Sequence, residues 1–165
     1  MNLIEELKNY CDINNPVGAL MLSGEWGCGK TYLIKTKFIP SVKDTYVFVC
    51  ISLFGIDSLD KLRVEVKKKW LEKASEFDSL NGTKVSRVAD SCRRIFDTIK
   101  DRLPENWQKK GEVVSSIMDL INFMPISNRM FEKKVILVFD DLERTNISCT
   151  DLLGCINDYC ENQGF

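Results

Sequence analysis

Residues 24–31 read G-E-W-G-C-G-K-T, and no other stretch of the chain limits its fold and chemistry as tightly. They fit the pattern G-x-x-x-x-G-K-[ST] without a gap. Two glycines, a lysine and a hydroxyl residue at fixed offsets arise by chance in fewer than about one chain per hundred of this length. The flanks fit the same reading. Residues 17–22 (VGALML) form a short apolar run, expected to be a buried strand that ends at Ser23-Gly24. Residues 30–38 read as a helix, with Pro40 closing it. Strand, glycine loop and helix together make a cradle for phosphate. Gly24, Gly27 and Gly29 let the backbone turn tightly. Successive N–H groups then face inward as an anion nest, and the helix adds the positive end of its dipole. Lys30 is placed as a point charge for β- and γ-phosphates, and Thr31 offers a hydroxyl to Mg²⁺. The expected nucleotide-binding segment is Gly24, Glu25, Trp26, Gly27, Cys28, Gly29, Lys30 and Thr31. Within it Trp26 is expected to pack on neighbouring structure, and Cys28 places a thiol at the rim. The competing reading is a glycine-rich turn without a nucleotide.

A phosphate loop binds; hydrolysis also needs an acid for the metal and a group that orients water. Residues 133–146 (KKVILVFDDLERTN) supply candidates. The apolar run 135–139 reads as a buried strand, and its end would set Asp140 at the carboxyl edge of a sheet, beside the loop. Asp140 is the expected metal ligand with Thr31. Asp141, next in line, is the expected water-activating acid, and Glu143 is the fallback base. With Lys30 on the phosphates, these make the expected catalytic set. Arg144 pairs with an acid or reaches a neighbouring subunit. The plainer alternative is that Asp140 and Asp141 merely cap a strand.

Residues 46–53 (YVFVCISL) read as another buried strand. After it, Asp57 or Ser58 is expected to cap a long helix with the stripe Leu59, Leu62, Val66, Trp70, Ala74 and Phe77, broken at Asn81-Gly82. Further helices are expected over about 85–103 and 113–124, and another over 150–162; residues 2–10 make a short amphipathic helix. Apolar strands without alternation belong in a parallel sheet covered by helices, so the fold class is α/β.

Composition removes several functions. The chain has 165 residues, a net charge of -1 and no histidine. Without histidine most zinc sites and every His-based nucleophilic triad are excluded. The charge balance gives no nucleic-acid signal, and Lys67-Lys68-Lys69 and Arg93-Arg94 read as solvated helix faces. No segment approaches the roughly 20 apolar residues needed to span a bilayer. Seven cysteines, without zinc-knuckle or redox-pair spacing, suit a reducing cytoplasm.

Taken together, GEWGCGKT and VILVFDDLER resemble the KAP family of P-loop NTPases, which carry a tryptophan inside the loop and a D-D-L-[DE]-R run after the metal strand. Gly24 to Thr31 match the nucleotide loop, Asp140 the metal aspartate and Asp141 the acid that follows. The resemblance covers the chain in order, although only these two motifs are diagnostic. It implies a P-loop three-layer sandwich with a mostly parallel sheet in a single domain over 1–165, interrupted by a long helical insert over about 57–131. It implies ATP and Mg²⁺ rather than GTP, in keeping with the lack of an N-K-x-D motif. It also implies a nucleotide-driven switch of the STAND and AAA+ branch, often in signalling or antiviral defence. In that branch a sensor strand follows the metal strand and inserts beside the loop strand. The sequence ends before it, so the expectation is an N-terminal portion, incomplete at its C-terminus and nearly inactive alone. A homo-oligomer would then assemble through the missing elements. Three other functions stay open at this point: a non-hydrolysing nucleotide-dependent regulator, a small-molecule or nucleotide kinase, and an interaction domain that kept the loop as a relic.

Overall fold

A computed structural model describes residues 2–81, 126–130 and 132–165. The chain divides into two compact units, one made of Met1–Leu59 with Ser127–Phe165 and the other of Asp60–Ile126. The expected helices over 85–103 and 113–124 lie outside the described residues, as does most of the expected insert.

The first unit is built on a three-stranded sheet of order β1-β3-β2, formed by β1 (Tyr46–Ser52), β2 (Arg129–Met130) and β3 (Lys133–Asp140). β1 and β3 run parallel in a register from Tyr46↔Lys134 to Ser52↔Asp140, and Leu53 N–H extends the ladder to Asp140 O at 2.9 Å. β2 is antiparallel to β3, so the sheet is mixed where a mostly parallel one was expected. Its class is nonetheless α/β. Tyr46 through Val49 are all buried, and Ile51 and Val135 are fully so, as strands covered on both faces must be.

Helix α1 (Leu3–Asp12) covers one face. Its N-cap Asn2 accepts from Ile4 N–H at 3.2 Å, and its apolar stripe joins Leu7 and Cys11 to Phe38, Val42, Tyr46 and Phe48. Two polar ties fix it. The Tyr46 hydroxyl donates to Asp12, and Lys134 Nζ from β3 reaches Cys11 O at 3.1 Å, on the last turn of the helix. Burial among these residues raises the Cys11 thiol to about 11.

The helix after the glycine loop starts as α2 (Lys30–Tyr32), widens into a π-helix over Leu33–Phe38, and returns to α3 (Ile39–Val42). Pro40 was expected to end it. Instead Pro40 stands in the opening turn of α3, directly after the wider π-helical stretch, and the helix runs on to Val42. Helix α5 (Cys149–Glu161) agrees with expectation. Ser148 caps it through Asp151 N–H at 3.1 Å, and Leu152, Cys155, Ile156, Tyr159 and Cys160 form its buried stripe. Tyr159 stacks against Phe139 of β3 with centroids 6.2 Å apart.

Residues 17–22 depart furthest from expectation. They form no strand, and Val17 is 93% exposed and Met21 69%. A strand exists only through its ladder partner. Among the described residues none pairs with this segment, nor with the edge of β3 opposite β1 beyond Val135.

In the second unit, α4 (Leu59–Asn81) buries Leu62, Val66, Leu71 and Ala74. Two of the three clustered lysines are held by neighbours on the helix: Lys68 faces Glu65 at 3.2 Å and Lys69 faces Glu72 at 2.8 Å. The run is thus an ion-paired helix face, as expected, rather than a bare basic patch. Among the described residues no helix is long and apolar enough to cross a membrane.

Because Ile51 is fully buried in β1, Ile51→Ala is expected to cost about 2–5 kcal/mol of unfolding free energy, read by urea denaturation.

Candidate functional site

The glycine loop and the end of β3 meet. Gly27 and Gly29 sit at φ of 80° and 90°, a region that side chains strain to enter, and a Cβ on either would meet nothing within 4 Å. Both glycines therefore front open space, as a cradle for a ligand requires. At Gly24 the reason is steric: a Cβ would come within 3.0 Å of Cys28 Sγ. The loop closes on itself by Cys28 N–H donating to Glu25 O at 3.2 Å. Lys30 Nζ arches back over it and donates to Gly24 O at 2.8 Å and Glu25 O at 3.0 Å. Its ammonium is held at the mouth of the loop by two weak carbonyl acceptors, both exchangeable for a stronger anion.

Thr31 Oγ1 donates to Asp140 Oδ1 at 3.0 Å, joining residues 109 positions apart. Asp141 N–H also donates to Asp140 Oδ1, at 3.1 Å, and Lys35 Nζ faces Asp140 Oδ2 at 3.1 Å. Burial alone would raise the Asp140 pKa. The hydrogen bonds from Lys35 and Thr31, the Lys35 charge and the Asp141 N–H outweigh it, and the carboxyl lies below its ordinary value.

Asp141 follows in a left-handed conformation, φ 60°. That turn swings its side chain toward β1, where Ser52 Oγ donates to Asp141 Oδ2 at 2.8 Å. The register explains the contact, since Ser52 is the ladder partner of Asp140. Glu143 lies exposed on the 3₁₀ turn Leu142–Arg144, lining the same cavity as Asp140 and Asp141. The Arg144 guanidinium sits 6.0 Å from the Trp26 ring and 5.4 Å from the Phe54 ring, with its Nε 3.9 Å from Asp141 Oδ1. Trp26 thus makes a cation–π contact at the outer limit of its range and is 77% exposed, so the packing expected of it is slight.

Sequence reading missed Ser52, Lys35 and Phe54. Lys35 was legible in principle, because residues 31 and 35 of a helix share a face. Ser52 and Phe54 become neighbours of the site only through the β1–β3 register.

Beside these groups opens a cavity of about 860 Å³, lined by Leu20, Leu22, Ile136 and Val138 and reaching Thr31 and Asp140. Its size is that of a small-molecule site. The oxygen donors suit Mg²⁺: a hydroxyl and a carboxylate stand 3.0 Å apart, and this ion takes one or two protein oxygens and completes its shell with phosphate and water. Among the described residues no cluster of three or more metal-binding side chains would hold a metal without such help.

A glycine loop crossed by its own lysine, with a hydroxyl bonded to an aspartate at the end of a parallel strand, defines a nucleotide-binding P-loop module. The family model described as the KAP family P-loop domain matches residues 2–163, and the chain belongs to that family. No curated protein and no solved structure matches the chain.

Proposed function

We propose that the chain is the ATP-binding and ATP-hydrolysing module of a nucleotide-driven switch. The observation that carries this reading is the Thr31–Asp140 hydrogen bond, which links the phosphate loop to an acid pair. In this reading the N–H groups of Gly27 to Thr31 hold the phosphates, and Lys30 leaves Gly24 O and Glu25 O for the β- and γ-oxygens. Thr31 and Asp140 hold Mg²⁺, which when bound neutralises charge developing on the transferred phosphoryl group. Asp141 orients and deprotonates the attacking water, and Ser52 positions Asp141. Glu143, exposed on its turn, is the fallback base. The adenine lies against the apolar walls of the cavity.

The three-layer architecture, with helices on both faces of a mostly parallel sheet in one domain, belongs to the same reading. So do a place in signalling or antiviral defence, which rests on family membership, and a reducing cytoplasm. None of the six described cysteines forms a disulfide, in keeping with that compartment.

Calorimetric titration with MgATP and MgGTP, followed by phosphate release, tests the function. Binding selective for ATP, with release, is expected. Binding without release would identify a non-hydrolysing regulator, and no binding would identify an interaction domain. Ser52→Ala, which leaves every phosphate contact in place, is expected to lower turnover about tenfold with ATP affinity within about twofold.

A further inference from the structure

Both oxygens of Asp140 are engaged by the protein itself. Oδ1 accepts from Thr31 and from the Asp141 N–H, and Oδ2 faces the Lys35 ammonium at 3.1 Å. Lys35 lies one turn beyond Thr31, within the π-helix Leu33–Phe38, so the helix that presents the hydroxyl also delivers a cation to the same carboxylate. Lys35 is not a carrier of the motif and makes no contact with the glycine loop among the hydrogen bonds and ion pairs found there. Its side chain is half exposed while that of Asp140 is only 20% exposed, so the ammonium reaches inward on a flexible stem to a carboxylate that water reaches poorly.

We propose that Lys35 is an internal counter-ion that competes with the divalent metal for Asp140. The inference rests on the nucleotide reading above and adds a residue that sets how tightly the metal is held. Without metal, Lys35 faces Asp140 while the Arg144 guanidinium lies near Asp141, so a polyphosphate meets a site whose metal-ligand carboxylate is already neutralised. When metal enters, Asp140 turns its charge to the ion and Lys35 withdraws along its stem to solvent. Two cations drawn to one carboxylate repel each other within a few ångströms. In a partly shielded site that repulsion is worth roughly a tenfold change in metal affinity.

The test compares wild type with Lys35→Met, which keeps the stem and removes the charge, and with Lys35→Arg, which keeps a charge. Two quantities are measured: Mn²⁺ affinity by electron paramagnetic resonance with a non-hydrolysable ATP analogue bound, and ATP affinity in EDTA by calorimetry. Lys35→Met is expected to tighten Mn²⁺ about tenfold and to weaken metal-free ATP about three- to tenfold, with Lys35→Arg near wild type. The opposite signs matter, because a merely structural role would weaken both together. Unchanged or weaker Mn²⁺ binding by Lys35→Met, with the analogue still bound, would overturn the inference alone. No nucleotide binding by wild type in either condition would overturn the nucleotide reading, and this inference with it.

Discussion

Lys30→Ala is expected to weaken MgATP binding by about a hundredfold or more while leaving the fold intact. In the ligand-free site the Lys30 ammonium rests on two carbonyls of its own loop, Gly24 O and Glu25 O. Those contacts lie in solvent, where a hydrogen bond contributes little net stability, so their loss shifts unfolding by no more than about 1 kcal/mol. The same ammonium against a triphosphate makes charge-assisted hydrogen bonds of about 1.5–3 kcal/mol each, and two of them account for the hundredfold. Calorimetry reads the binding and a thermal melt reads the fold. Intact affinity would remove Lys30 from the phosphate-binding role. A melt that collapsed together with the affinity would make Lys30 a structural residue of the loop.

Much of the site was legible because its two halves are local. A glycine loop declares itself by the conformations it needs, and Gly27 and Gly29 do adopt positive φ. An apolar run ending in acids declares a buried strand, and β3 ends at Asp140. That Thr31 would meet Asp140, 109 residues away, followed from the rule that ligands sit at the carboxyl ends of parallel strands rather than from local pattern. What could not be read is what depends on pairing between distant strands. Ser52 looks like a strand-end serine until the register sets it beside Asp140. Residues 17–22 show the converse limit. Their composition is that of a strand, but hydrogen-bonding partners decide strand formation, and with none among the described residues Val17, Leu20 and Met21 stand at least half exposed. Pro40 failed as a stop signal for a local reason: the π-helical turn ahead of it resets the helix, and the proline falls in the opening turn of α3.

Arg144 shows how the two motifs depend on each other. The tryptophan of the loop and the arginine of the D-D-L-E-R run lie close together, the guanidinium 6.0 Å from the ring centroid. The guanidinium lies near two aromatic rings and near the Asp141 carboxylate, and the backbone N–H of Arg144 donates to Asp141 O at 2.9 Å. The loop, the end of β1 and the turn after β3 are thereby tied at one point.

Asp141→Asn is expected to spare MgATP binding within about threefold and to lower turnover by about 10²- to 10⁴-fold. The substitution changes little in shape. An amide oxygen still accepts from Ser52 Oγ, now at 2.8 Å from the carboxylate, and the left-handed backbone at φ 60° tolerates asparagine as well as aspartate. The nearby Thr31–Asp140–Lys35 contacts do not involve the Asp141 side chain, so the metal end is preserved. The change removes the negative charge and the basic oxygen that would take the proton from water. Parallel measurement of ATP affinity and phosphate release separates the two consequences. Unaltered turnover would move the basic role to Glu143, and Glu143→Gln would then carry the loss. A fall in affinity equal to the fall in turnover would instead place Asp141 on the bound nucleotide rather than on water, since an interaction made only in the transition state leaves binding untouched.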